Sequence, residues 1–279
     1  MGVVAEVERE LARLRCVEAE EGVLGLRAST MTHLVWAPLR WLPQVRKTLE
    51  GLEERHPART IILVPEPRRG GPVRTRVRLR VTAIEGGREV LAEVIELRLR
   101  GPAMEHPASV VVPLLISDLP VFCRWRGEPP WRASALAELV EVCDRLVVDS
   151  AEWRGLPERY GRLARLFDRV AVSDLAFART LRWRIRLAAL WPQIGDVTRV
   201  RVSGPRAEAL LLAGWLRSRL GREIRLTRRS APSVRAVWLD GEPVEPPRGP
   251  EVSGSDLLSA ELDVLSRDPV YEAAVRATQ

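Results

Sequence analysis

Residues 197–221 read VTRVRVSGPRAEALLLAGWLRSRLG, and this stretch decides the fold class. Val197 to Val202 is a short valine-rich run that predicts a strand. Ser203-Gly204-Pro205 then opens a helix, with a capping serine, a proline in the first turn and Gly221 just past the end. A strand that passes through a capped turn into a helix is the repeating unit of an α/β protein.

The same unit recurs on both sides. Downstream, Ile224 to Leu226 and Val234 to Leu239 predict strands. Glu242 to Pro250 reads as a proline-rich loop, and Ser255–Leu265 and Pro269–Arg276 as helices. Upstream, Leu156–Phe167 and Asp174–Leu190 have helical spacing, Ala133–Cys143 predicts a helix, and Val121–Arg126 and Arg145–Val148 predict strands. Val4, Val7, Leu11 and Leu14 recur at three and four residues, marking an amphipathic helix. Ser29–Ala37 is a strand and Trp41–Arg55 a helix. Arg59–Val64, between Pro57 and Pro65, has the β-branched content of a buried strand. Val73, Thr75, Val77, Leu79 and Val81 alternate with four arginines, Gly86-Gly87 turns the chain, and Val90–Leu99 alternates again: a β-hairpin with one buried and one polar face. The expected architecture is α/β, a mixed sheet with helices on both sides and an inserted antiparallel hairpin. Two α/β subdomains are expected, residues 1–170 with the hairpin at 73–99, and residues 171–279.

Composition narrows the function classes. With 46% hydrophobic and 29% charged residues the chain can build a core and stay in water. No apolar run approaches the roughly 20 residues of a membrane helix. Met1–Glu21 is acidic and amphipathic, without the basic start and apolar middle of a signal peptide, so a cytoplasmic location is expected. The formal charge is +7, yet Lys47 is the only lysine and the arginines are dispersed among glutamates, as in Glu6 to Arg15. A nucleic-acid footprint needs a cluster, so none is expected. Cys16, Cys123 and Cys143 form an odd, sparse set that suggests reduced thiols, with no Cys123–Cys143 bridge.

The familiar catalytic signatures are missing. No GxGxxG follows a strand, no GxxxxGK[ST] cradles a phosphate, and no GxSxG elbow occurs. His33, His56 and His106 are scattered, without a second ligand at helical spacing. No catalytic residue, cofactor or metal is therefore expected. Ser203 and Gly204 have two readings, helix capping and an anion site at a helix N-terminus. Asp118, Asp149 and Asp174 can be read as acid/base carboxylates or as caps. Tryptophan is over-used, 9 against 3 Phe and 2 Tyr, and it often stands beside arginine, as in Arg124-Trp125-Arg126 and Arg182-Trp183-Arg184. Those two residue types anchor protein interfaces, and Trp also fills cores.

Four stretches, in order along nearly the whole chain, resemble the OpcA family of glucose-6-phosphate dehydrogenase assembly proteins. Glu54-Arg55-His56-Pro57-Ala58-Arg59-Thr60 is similar to that family's RHPxR element. Val112 to Pro120 (VPLLISDLP), followed by Trp125 and Gly127-Glu128-Pro129-Pro130, resembles its PLLxxDLP segment, with Asp149-Ser150 as the DS beyond the next strand. Asp174-Leu175-Ala176 with Arg179 and Trp183-Arg184 is similar to its DLxWxRLTPWR helix, although Phe177 stands for the tryptophan. Leu211 to Gly221 resembles its WLxSRLG helix, and Asp268-Pro269-Val270-Tyr271 fits its tail. The resemblance implies a protein without chemistry of its own that associates with glucose-6-phosphate dehydrogenase and promotes its active oligomer. The alternative is a sugar-phosphate-binding enzyme or sensor with an α/β cleft. On the first reading, Asp118, Trp125 and Arg126 together with Asp174, Arg179, Trp183 and Arg184 form the partner surface. On the other reading of the same residues, both tryptophans lie in the core and the aspartates cap helices.

Overall fold

The computed structural model describes residues 2–20, 29–50, 52, 55–84, 88–250 and 252–278. The chain divides into two compact units, Met1–Val147 with Gly254–Leu265, and Val148–Ser253 with Ser266–Gln279.

In the first unit the strands are β1 (Met31–Trp36), β2 (Ala58–Pro65), β3 (Arg74–Ile84), β4 (Arg88–Leu99), β5 (Val121–Trp125) and β6 (Arg145–Val148). Within this unit they run in the order β3-β4-β2-β1-β5-β6. All neighbours are parallel except the hairpin pair β3 and β4. The central strands read as continuous apolar runs because both faces are covered: Leu34, Ile61, Ile62, Leu63 and Ile95 are fully buried. The helices of this unit are α1 (Val3–Glu20), α2 (Leu42–Glu50), the single turns α3 (Pro102–Glu105) and α4 (Ala108–Val111), and α5 (Ser134–Val142), with the Gly254–Leu262 helix returning late in the chain. Arg15 of α1 binds Glu93 and Arg46 of α2 binds Glu96. Those acids are three apart on β4, so α1 and α2 lie on opposite faces of the sheet. Glu93 also receives Arg59 at 2.7 Å, which leaves the buried carboxylate well paired. The expected mixed sheet with helices on both sides and a hairpin is the fold observed.

The second unit contains α6 (Glu158–Ala164), β7 (Ala171–Asp174), α7 (Leu175–Arg179), α8 (Leu181–Ala188) and α9 (Arg206–Leu220), and the Pro269–Arg276 helix. It also holds a four-stranded sheet made by β8 (Arg199–Ser203), β9 (Arg225–Arg229), β10 (Ala236–Leu239) and β11 (Glu242–Val244). The strand order is β11-β10-β8-β9, with β8 and β9 parallel across α9 and the rest antiparallel. Val200, Val202 and Val237 turn one face of this sheet inward, where α9 packs. Gly221 closes α9 in the left-handed conformation, φ +63°, as its sequence position predicts.

Several local expectations are corrected. The helix expected over 174–190 breaks at Thr180, whose Oγ donates to the Phe177 carbonyl at 2.7 Å and ends α7. Ser203 ends β8 rather than capping α9. The cap position is held by Pro205, which makes no side-chain bond. β7 and β11 lie in segments read as a boundary and a loop. β3 is an edge strand, residues 74–81 of it are half-buried or exposed, and Val81 on its apolar side is 37% exposed. The Gly86-Gly87 turn, and residues 51, 53 and 54 of the helix expected over 41–55, lie outside the described residues.

Candidate partner interface

The residues singled out in the first stretch lie in the first unit. Asp118 sits in the loop before β5 with φ +63°, beside Asp144 and Leu265 along a shallow depression. Trp125 is 1% exposed and stacks on Trp36 with ring centres 4.7 Å apart. Arg126, just past β5, is half-buried and lies over the Trp41 ring at 4.4 Å. Gly127 follows with φ +80°, and a side chain there would press on the Trp41 indole.

Those of the second stretch lie in the second unit, where they enter a buried polar network. Asp174 caps α7: its Oδ1 accepts from the Ala176 and Ser150 amides, both at 2.9 Å, and Oδ2 accepts from Tyr271 at 3.4 Å. Burial, and then the neighbouring Asp149 carboxylate, push the Asp174 acid up to about 7. Arg179 holds Asp149 through two nitrogens at 2.5 and 3.0 Å and Glu208 of α9 at 2.8 Å. Burial opposes the charge on Arg179, yet the two acids raise its pKa. Glu208 is itself raised, chiefly by burial, and its Oε2 has no partner among the described residues. Ser150 Oγ and the Tyr160 hydroxyl, 2.9 Å apart, complete the cluster. The network ties α7 to α9 and to the Asp149-Ser150 turn.

Trp183 points inward as well. It is 4% exposed, and its Nε1 donates to the Val234 carbonyl at 2.9 Å. Arg184 stays half-buried, its guanidinium 3.7 Å over the Phe177 ring and its Nε on Thr180 Oγ at 3.1 Å. Because Trp183 and Leu187 take the inner stripe of α8, the outer stripe is left to Leu181 and Ile185, 49% and 61% exposed. Trp191 follows at 66% exposure. With Trp215, Leu220 and Val270 these side chains line an open apolar groove, bordered by Arg184 and Arg219. Contiguous exposed apolar area of this kind marks interaction sites on soluble proteins. Of the two readings of these residues, the structure matches burial for Trp125 and Trp183 and capping for Asp174, and the exposed apolar side chains of α8 are others. The signal lay in the i, i+4 pair Leu181/Ile185 and in Trp191.

The turn at Ser203-Gly204 is already engaged. The Gly204 amide donates to the Arg229 carbonyl at 3.0 Å, and its own carbonyl accepts from Arg228 at 3.0 Å. Among the described residues, no group of three or more His, Cys, Asp or Glu is arranged to hold a metal ion, and no helix is long and apolar enough to cross a membrane. Cys123 and Cys143 are buried free thiols, and Cys16 is exposed.

Two family models match the sequence. Residues 50–166 match the "glucose-6-phosphate dehydrogenase subunit N-terminal domain" and residues 170–253 the corresponding C-terminal domain. Curated relatives named "Putative OxPP cycle protein OpcA" include those of Synechocystis (26% identical over 141 residues) and Nostoc punctiforme (28% over 141 residues). Each alignment covers 47% of this chain and 30% of the relative. The Synechococcus elongatus protein of the same name is 24% identical over 179 residues, 60% of this chain and 40% of its own length. The aligned part thus spans well under half of each of these relatives.

Proposed function

Since the chain belongs to the OpcA family of glucose-6-phosphate dehydrogenase assembly proteins, we propose that it binds such a dehydrogenase in the cytoplasm and promotes its active oligomer, without chemistry of its own. The mechanism is linkage. A protein that binds the active assembly more tightly than the inactive one raises its population by the ratio of the two affinities.

The observation that carries this reading is the outer face of α8. Leu181, Ile185 and Trp191 leave a groove of apolar area open along α8, whose inner side is fixed by Trp183 and which follows α7, itself held by the Asp149–Arg179–Glu208 network. A rigid helix bearing exposed large side chains beside arginines has the composition of an interface core. Asp174, Arg179 and Trp183 act by positioning that helix, and Arg184 borders the contact.

Turnover of the dehydrogenase from the same cell, measured with and without the purified chain, tests the reading. Activity is expected to rise on addition, while the chain alone shows no glucose 6-phosphate-dependent reduction of nicotinamide cofactor. Ile185→Asp, on the exposed face, should leave the melting temperature unchanged and weaken activation at least about tenfold, the scale of an interface anchor. Turnover by the dehydrogenase-free chain, or full activation by the Ile185→Asp variant, would refute one half of the proposal each.

A further inference from the structure

The net charge of the protein is concentrated in one unit. The second unit has 22 arginines against 14 acidic residues, +8, whereas 22 basic and 23 acidic residues leave the first at −1. Within the second unit the excess gathers on the face of the four-stranded sheet that α9 does not cover. Register places Arg199 beside Arg225, Arg201 beside Thr227, and Ser203 beside Arg229. On the other side of β8, Arg201 pairs with Trp238. All four arginines are exposed, while Val200, Val202 and Val237 between them point the other way into the core. Asp240 is the acid next to this face. It is occupied by the backbone amides of Thr198 and Arg199, and its contact with the Arg199 guanidinium is 3.6 Å. Arg201, Arg225 and Arg229 have no carboxylate partner among the described residues.

We propose that this arginine-studded sheet face docks an acidic, extended segment of the partner protein. The identity of that partner as the dehydrogenase rests on the assembly reading above. Three observations select this occupant. Unpaired guanidinium groups on neighbouring strands, in the unit that carries all of the excess positive charge, attract carboxylates and steer them on approach. β9 is an edge strand, paired with β8 on one side only, so its other edge can accept an added strand through main-chain hydrogen bonds. Nucleic acid fits less well. The one aromatic ring of the face, Trp238, is half-buried and capped by the Arg201 guanidinium at 4.1 Å, which leaves no open platform for base stacking.

The test uses the full chain and two fluorescein-labelled probes at low salt, an eight-residue peptide alternating glutamate and threonine and an eight-nucleotide oligouridine, followed by anisotropy. The peptide is expected to bind, more weakly as salt rises. Combined Arg201→Glu, Arg225→Glu and Arg229→Glu should weaken it at least about tenfold, because three exposed charge pairs are each reversed. Arg165→Glu, an exposed arginine on another element, should bind like the parent. The triple variant should stay folded, with a melting temperature close to the parent's, as all three side chains are exposed and lose only the Arg201–Trp238 contact, and should lose dehydrogenase activation at physiological salt. Tighter binding of oligouridine than of the peptide, absence of peptide binding, or an unaffected triple variant overturns the proposal. Failure of the parent chain itself to activate the dehydrogenase would strike the assembly reading instead, and is distinguished because the peptide arm does not involve the enzyme.

Discussion

Asp174 gives the second unit a pH-dependent stability of calculable size. In the unfolded chain its carboxyl loses a proton near 3.8; in the fold, burial and the Asp149 charge hold the proton to about 7. Between these values the folded state retains a proton that the unfolded state has released. Stability from this group is therefore complete below about pH 4, falls as pH rises through the window, and levels off above 7. About three pKa units at about 1.4 kcal/mol each make the loss on the order of 4 kcal/mol. Asn in place of Asp174 keeps the Oδ1 acceptor for the Ser150 and Ala176 amides and presents a neutral amide toward the Tyr271 hydroxyl, so it imitates the protonated acid at every pH. Urea unfolding of parent and Asp174→Asn at pH 4 and pH 8 isolates the effect, since other titrating groups cancel in the difference. The variant should gain on the parent by several kcal/mol between the two conditions. A difference that stays constant with pH would refute the reasoning and would mean that Asp174 is ionised in the fold.

Other consequences follow from the same packing. Arg179→Met leaves Asp149 and Glu208 buried without their shared cation and should cost about 3–5 kcal/mol, partly recovered when Glu208→Gln is added; an unshifted denaturation midpoint would contradict the network. Trp125→Ala removes a fully buried ring stacked on Trp36 and should cost about 3–5 kcal/mol, so thermal melting near the parent's temperature would place this residue outside the core. Gly214→Ala would drive a methyl group into the Ala274 carbonyl and against Thr278, where α9 meets the Pro269–Arg276 helix; about 1–3 kcal/mol of destabilisation by chemical unfolding is expected.

The valine-rich run at 197–202, the helical stop at Gly221 and the β-branched run at 59–64 between two prolines made the α/β fold legible, because composition and terminators agreed in each element. β7 escaped notice because four buried residues, Ala171 to Asp174, are too few to show a period. β11 escaped because Pro243 demotes a strand in any reading, although a short edge strand tolerates it. Which stripe of α8 is exposed was not legible. Leu181/Ile185 and Trp183/Leu187 are both apolar pairs at a spacing of four, and a single helix cannot reveal which pair its neighbours will cover. Here the Val234 carbonyl, offered to the Trp183 indole from far along the chain, settles the matter. Glu208 was invisible for a similar reason, since only the approach of Arg179 turns a surface-type residue on α9 into part of a buried cluster.

The division of the chain into units also governs how it matures on the ribosome. The first unit reclaims Gly254–Leu265 only after the whole of 148–253 has been made, and the second then takes Ser266–Gln279. At about 5–20 residues per second, translation of those 106 intervening residues holds the first unit incomplete for roughly 5–20 s. During that interval the nascent chain lacks the helix whose Ser259 meets His56 at 2.7 Å and whose Glu261 meets Arg145 at 3.1 Å. Ribosome-arrested chains ending before residue 254 should consequently be cut by protease within the first unit far faster than released protein.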